Sequence, residues 1–88
     1  MTVFAILSPS GDNATLATSI QTHFANDFLR VGPGQWLVAA RATAVDVSNT
    51  LGITKPPNVT AIVLATTAYF GRADNSIWDW MRVKMTAV

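Results

Sequence analysis

Four stretches of the chain are apolar at nearly every position and rich in β-branched side chains, which is the pattern of buried strands. The second and third are separated by Gly32, Pro33 and Gly34, a short link with glycines that is typical of a hairpin. The four predicted strands are residues 2–7, 28–31, 35–40 and 59–66.

The first predicted helix follows the first strand. Asp12 or Asn13 can cap its start, and its apolar residues recur at helical spacing up to about residue 26. The face defined by this spacing includes His23. These positions predict a helix that packs against the sheet through Leu16 and Ile20.

Two further helices are indicated by their end signals. Thr43 and Asp46 have the spacing of a capping box, and Gly52 stands where a helix closes in a left-handed residue. Asp74 or Asn75 can cap a last helix, which we expect from residue 76 to about 85. The Trp pair at 78 and 80 cannot share one helical face, so we expect one in the core and the other against something else.

The predicted order is β-α-β-β-α-β-α. Its first six elements have the arrangement of a split βαβ unit, in which both crossover helices lie on one face of the sheet. We therefore predict one α+β domain over residues 1–88. It would be a ferredoxin-like βαββαβ sandwich with a four-stranded antiparallel sheet, two helices on one face and an additional C-terminal helix.

Both faces of this sheet are predicted to be apolar. The first strand carries Val3 and Leu7 on one face and Phe4 and Ile6 on the other, whereas a sheet with one solvated face alternates apolar and polar positions. The last helix could cover part of the second face, but a second subunit is the simpler cover. We predict a homodimer through the sheet face. The interface candidates are Trp36, Val38, Ile62, Leu64 and Trp78.

Composition limits the function classes. Only 12% of the residues are charged and 50% are hydrophobic, so much apolar surface must be covered. Six Lys or Arg against five acidic residues give a net charge of +1, too little for a nucleic-acid footprint by itself. Without Cys and with one His, we expect no metal site and no cofactor. No apolar stretch is long enough for a membrane span, and we expect a cytoplasmic protein.

Two side chains have a chemical and a structural interpretation. Asp12 is a candidate metal ligand, but capping of the first helix requires the same residue type at the same place. His23 could act as a general base, but no partner that would position it lies nearby in the sequence, which favours a packed or boundary histidine.

An aromatic loop follows the last strand. Aromatic side chains beside a cation can stack bases and hold phosphate, which makes the loop a candidate nucleic-acid surface. The alternative, which we favour, is that the aromatic rings close the end of the core. The nucleic-acid candidates are Tyr69, Phe70, Arg72, Arg82 and Lys84.

Several motifs resemble a known family. The opening strand contains Phe4-Ala5-Ile6, residues 35–38 read Gln-Trp-Leu-Val, and residues 77–81 read Ile-Trp-Asp-Trp-Met. Together they are similar to small bacterial proteins related to the CRISPR-associated adaptation nucleases of ferredoxin-like fold. The resemblance covers nearly the whole chain, and many of these relatives are uncharacterised.

The resemblance implies a dimer and raises the question of catalysis. Family members with nuclease activity are similar in placing an Asp at the end of the first strand, where one carboxylate per subunit holds a divalent metal. Ser8 stands at that point here, and a neutral hydroxyl does not replace a carboxylate. We therefore expect a dimeric interaction module without catalytic activity. The alternatives are a divergent metal-dependent nuclease or nucleic-acid-binding protein, and a small-ligand regulatory domain.

Overall fold

The predicted order of elements is confirmed by the computed structural model, which describes residues 1–87. The protein is α+β, with a four-stranded antiparallel sheet and three helices. The elements are β1 (Thr2–Leu7), α1 (Ala14–His23), β2 (Phe28–Gly32), β3 (Gln35–Ala40), α2 (Ala44–Thr50), β4 (Ile62–Thr66) and α3 (Asn75–Thr86).

The strand order is β2-β3-β1-β4, so the first strand of the chain lies inside the sheet. β1 pairs antiparallel with β3 and with β4, and β2 pairs with β3 as a hairpin. In the sheet, β3 lies between β1 and β2, and β1 lies between β3 and β4. The connection from β1 to β2 through α1 and the connection from β3 to β4 through α2 therefore each pass over one intervening strand.

The main core lies between one face of the sheet and the helices α1 and α2. Side chains at alternate positions of β1 and β3 point into it and are fully or almost fully buried. We call this face of the sheet the helix face. Its core consists of Phe4, Ile6, Leu16, Ile20, Trp36, Val38, Val47 and Leu51.

Local signals fix the ends of the first two helices. The side chain of Asn13 accepts a hydrogen bond from the backbone N–H of Leu16 at 3.0 Å, so Asn13 caps α1. α1 ends at His23, earlier than predicted, because the Phe24 carbonyl accepts the backbone N–H of Asp27 in a turn. The capping box of α2 is formed by Thr43 and Asp46 as predicted.

β4 begins at Ile62, three residues later than the apolar run predicts. The reason is the pairing register, in which Ile62 lies opposite Leu7, the last residue of β1. Residues before Ile62 therefore have no strand beside them. Val59 and Ala61 still pack against the main core, which explains why they are apolar.

α3 lies on the other face of the sheet, which we call the open side. Val3, Ala39 and Met81 form a second small core there. The amino terminus of Met1 donates a hydrogen bond to the carbonyl oxygen of Ala87, just after α3. The chain thus supplies part of the cover that we expected chiefly from a second subunit. Among the described residues, no helix is long and apolar enough to cross a membrane.

The hairpin between β2 and β3 provides a test of the packing. Gly34 has φ +69°, and a Cβ atom there would lie 2.7 Å from the carbonyl oxygen of Gly11 and 2.9 Å from that of Ser8. Gly11 also has a positive φ, +91°, but a Cβ atom there would meet nothing within 4 Å.

We expect Gly11→Ala to cost about 1–2 kcal/mol of unfolding free energy, from its backbone conformation alone. Gly34→Ala should cost a further 1–3 kcal/mol or so, because atoms of the β1–α1 loop must move. Urea denaturation of both variants measures the difference. Equal losses of unfolding free energy would mean that the β1–α1 loop can move away from a Cβ atom at residue 34 at no cost.

Candidate interaction surface

α3 covers only one end of the open side. Its cover lies over Val3 and Ala39, near the start of β1 and the end of β3. Ile77, Trp78, Trp80 and Met85 pack around Met81 in this cluster. Both Trp78 and Trp80 are therefore half-buried, one on each flank of Met81. The prediction that these two residues would have separate environments was wrong, because a helix lying flat on a sheet contacts it with both flanks.

The other end of the open side is uncovered in the described residues. The register places Ala5 opposite Leu37 and Leu64, and Leu7 opposite Ile62, so these side chains share one face. Leu29 joins them, since it lies opposite Leu37. Ile62 and Leu64 are each 49% exposed. We call this surface the open face. It consists of Leu29, Ala5, Leu7, Ile62 and Leu64, together with Leu37 at its margin, which also packs against the α3 cluster.

The open face is apolar across all four strands. The polar residue at its margin is Gln35, which is exposed and lies opposite Leu7. None of its members carries a charge, so the open face exposes apolar side chains to water with no charged group among them. Such a surface is typical of an interaction site, because isolated proteins rarely leave a contiguous apolar patch of several strands in water.

Two predicted interface residues lie elsewhere. Trp36 is 3% exposed and Val38 is fully buried, and both belong to the main core beneath α1 and α2. The prediction that they form a dimer interface was wrong, because β3 turns its even-numbered side chains to the helix face. The odd-numbered residue Leu37 takes their place on the open side.

The aromatic loop lies beside α3. The rings of Tyr69 and Trp78 stack with their centroids 5.6 Å apart and an angle of 14° between their planes. Phe70 is fully exposed, at 102%. With Gly71, these three aromatic residues line an open depression of about 210 Å³. Phe70 therefore does not plug the core, and the loop presents an aromatic surface to solvent.

The cations predicted to accompany these rings are not brought together as a free patch. The Arg82 guanidinium lies 3.3 Å from the carboxylate of Asp79, one turn earlier in α3. The Lys84 ammonium binds the Asp27 carboxylate at 2.8 Å and the Asn26 carbonyl oxygen at 3.2 Å, near the start of β2. Arg72, in the loop itself, has no ion pair within residues 1–87. Of the three cations, it is the best placed to contact a ligand beside the aromatic rings.

Asp12 has a structural role that its position in the sequence did not indicate. Both of its carboxylate oxygens accept hydrogen bonds from Nη2 of Arg30, at 2.6 and 2.8 Å. One oxygen also accepts the backbone N–H of Gly34 at 3.0 Å. The hydrogen bond from Arg30 lowers the pKa of Asp12 most, and the Gly34 N–H lowers it further. Asp12 thus joins the β1–α1 loop to the hairpin, and it does not cap α1 because Asn13 does.

The remaining chemical candidates are isolated. His23 is exposed at the end of α1, with Nδ1 3.0 Å from the backbone carbonyl oxygen of Ser19, so it lies outside the core. The Ser8 side chain is buried without a hydrogen-bond partner among the described residues. Within residues 1–87, no group of three His, Cys, Asp or Glu side chains could hold a metal ion. The part of the chain that the structure describes thus brings no metal-binding set together.

Comparisons with known proteins give no assignment: no family model, no curated protein and no solved structure matches the chain. A proposal about function therefore rests on the geometry of the surface.

The Asp12 bridge generates a prediction on pH. Because its pKa in the folded protein lies below the usual value of about 3.9, its ionised form stabilises the fold. This stabilisation is complete above pH 4–5 and is lost as the pH falls through the lowered pKa.

We expect Asp12→Asn to melt at a lower temperature than the wild type at pH 7, and the difference to shrink towards pH 2–3. Thermal denaturation at both pH values measures it. Asp74→Asn serves as the control, since Asp74 is an exposed carboxylate before α3 whose side chain makes no capping hydrogen bond. A difference for Asp12→Asn that is independent of pH would contradict the role of its charge.

Proposed function

We propose that the protein is a non-catalytic interaction module that forms a homodimer through the open face. The observation that carries this proposal is the uncovered half of the sheet, where apolar side chains of all four strands reach solvent and none is charged. Among the described residues, α1 and α2 pack on one face of the sheet and α3 on one end of the other. A second copy supplies the missing layer.

The fold supports a symmetric arrangement of this kind. We propose the ferredoxin-like class for it; in support, the order β2-β3-β1-β4, read from its other edge, is 4-1-3-2 with all neighbours antiparallel. One face of such a sheet is left without crossover helices. In an isologous dimer the same patch meets itself, and a neutral apolar patch meets its copy without repulsion.

We propose that the open face and the neighbouring aromatic loop together form the interface. A standard interface buries about 800 Å² on each partner. The open face includes Ile62 and Leu64 of the edge strand β4, each at 49% exposure, and the aromatic loop adds the fully exposed Phe70. A large aromatic side chain alone offers on the order of 200 Å². We retain Trp78, which stacks on Tyr69 beside α3, as a proposed member of this interface.

The nuclease alternative receives no support from the site. Ser8 is buried and lacks a carboxylate, and both oxygens of Asp12 are engaged by Arg30. A relation to the CRISPR-associated adaptation nucleases therefore stays a hypothesis about descent, and we propose no metal-dependent step.

The dimer is tested by light scattering of the wild type and of Leu29→Glu at micromolar concentrations. Leu29 lies on β2, and a carboxylate there would be buried without a partner on both subunits, which costs several kcal/mol. We expect dimerisation to weaken by at least about 100-fold. Gln35→Glu, at an exposed position of the same face, should weaken it less and without loss of thermal stability.

Val83→Glu is the matched control, since Val83 is 58% exposed on α3 and outside the second core. It should leave the mass unchanged. A Leu29→Glu variant that is folded by circular dichroism and keeps the wild-type mass would contradict the proposed interface.

A second candidate function is binding of single-stranded nucleic acid by the aromatic loop. Full exposure of Phe70 favours it, because nothing within residues 1–87 accounts for a solvated phenyl ring. A base could stack on this ring, and Arg72, two residues later, could contact a phosphate. The loop binds without sequence preference in this interpretation.

Retention of labelled single-stranded DNA and RNA, with Mg²⁺ and with EDTA, tests the candidate. Phe70→Ala should weaken binding by about 5- to 150-fold, the range for one stacked base. Arg72→Ala should weaken binding and lower its salt dependence while leaving the fold intact. Lys55→Ala, an exposed cation in another loop, is the control. Absence of retention would exclude this function, and cleavage that requires Mg²⁺ would restore the nuclease hypothesis.

A further inference from the structure

β4 is an edge strand with an unprotected edge. It pairs with β1 on one side, and the described residues place no strand on its other side. The backbone N–H and C=O groups along such an edge can pair with another extended chain. Proteins usually prevent this with proline, charged residues or a bulge. β4 has none of these: residues 58–71 contain neither proline nor charge, and its register with β1 is regular.

Apolar side chains are exposed on both sides of this edge. On the open side, Ile62 and Leu64 are half-exposed. On the helix face, Val45 of α2 is 67% exposed and lines, with Val63 of β4, an open depression of about 310 Å³ between the helix and the strand. A dimer through the open face would cover Ile62 and Leu64 but would leave Val45 in water.

We propose that β4 pairs antiparallel with β4 of a second copy, which extends the sheet to eight strands across a two-fold axis. This arrangement pairs the edge backbone groups and places both α2 helices on the same face, beside the junction. Val45 of each copy then approaches the other subunit. One contact thus accounts for the exposed apolar residues on both sides of the edge.

A second copy, rather than a different partner, is indicated by charge. In a two-fold antiparallel pairing, the strand meets its own sequence in reverse, so a charged residue near the axis would lie beside its own copy. The neutral stretch from residue 56 to 71 avoids this repulsion completely. The absence of cations and carboxylates also gives a charged peptide nothing to pair with along the strand.

This contact is separate from the open-face dimer. The two-fold axis of the edge contact is perpendicular to the sheet, whereas face-to-face packing relates two stacked sheets. If both contacts form with perpendicular axes, they generate a closed tetramer. The two contacts can therefore be broken independently.

The test uses Ala65, which is exposed on β4 and lies opposite Phe4, so its side chain is on the helix face and away from the open face. Ala65→Lys places like charges on both strands of the junction. We expect the concentration needed for edge assembly to rise at least about tenfold and the mass to halve at constant concentration. Val83→Lys, on α3, should keep the wild-type mass.

Charge complementation gives a second readout. Ala65→Asp alone should also lose the edge contact, and an equimolar mixture of Ala65→Lys and Ala65→Asp should regain the wild-type mass. Hydrogen exchange should show slower exchange of β4 amides in the wild type and in the mixture than in either variant alone. If the substitutions acted only by destabilising the fold, the mixture would not regain the wild-type mass.

The outcomes separate the two contacts. If Ala65→Lys halves the mass and Leu29→Glu does not, the edge contact stands and the open-face dimer fails. If Leu29→Glu halves the mass while both Ala65 variants keep it, the edge proposal is overturned. A wild type with the mass of one chain at 100 µM or so would overturn both.

Discussion

The fold depends on β1 being apolar on both of its faces. Phe4 and Ile6 fill the core under α1 and α2, while Val3 is fully buried on the opposite side against α3. A central strand of this composition requires two covering layers, and within residues 1–87 only α3 packs on the second face. α3 solves the problem at one end of the sheet. The exposed apolar residues of the open face are the part that the chain leaves uncovered.

Much of the architecture could be predicted from local sequence signals. The hairpin around Pro33, the capping box at Thr43 and the left-handed Gly52, with φ +78°, act within a few residues and were read correctly. The start of β4 was not predicted correctly from the local sequence, since it depends on where β1 ends. Apolar character shows that Val59 is covered, but only the register decides whether it pairs as a strand.

The site was less predictable because it depends on which face each strand turns to the helices. The two faces of β3 are equally apolar in sequence, so the pattern does not show which of them points to the helices. Shifting that choice by one residue places Leu37 in the core in place of Trp36. The Asp12–Arg30 bridge joins residues 18 positions apart, and no local spacing marks it. The solvated Phe70 was also missed, since an aromatic side chain in a charge-free stretch is expected to be covered.

The hydrogen bond between the amino terminus of Met1 and the carbonyl oxygen of Ala87 brings the first and last described residues side by side. The backbone thus follows an almost closed ring, although β1 lies inside the sheet. A short linker could join residues 1 and 87, and new ends could be opened in the exposed loop at residues 54–58 without removing a strand from the sheet. Such a circular permutant would begin with β4, so that the order in which the strands are synthesised could be separated from the order in which they pair.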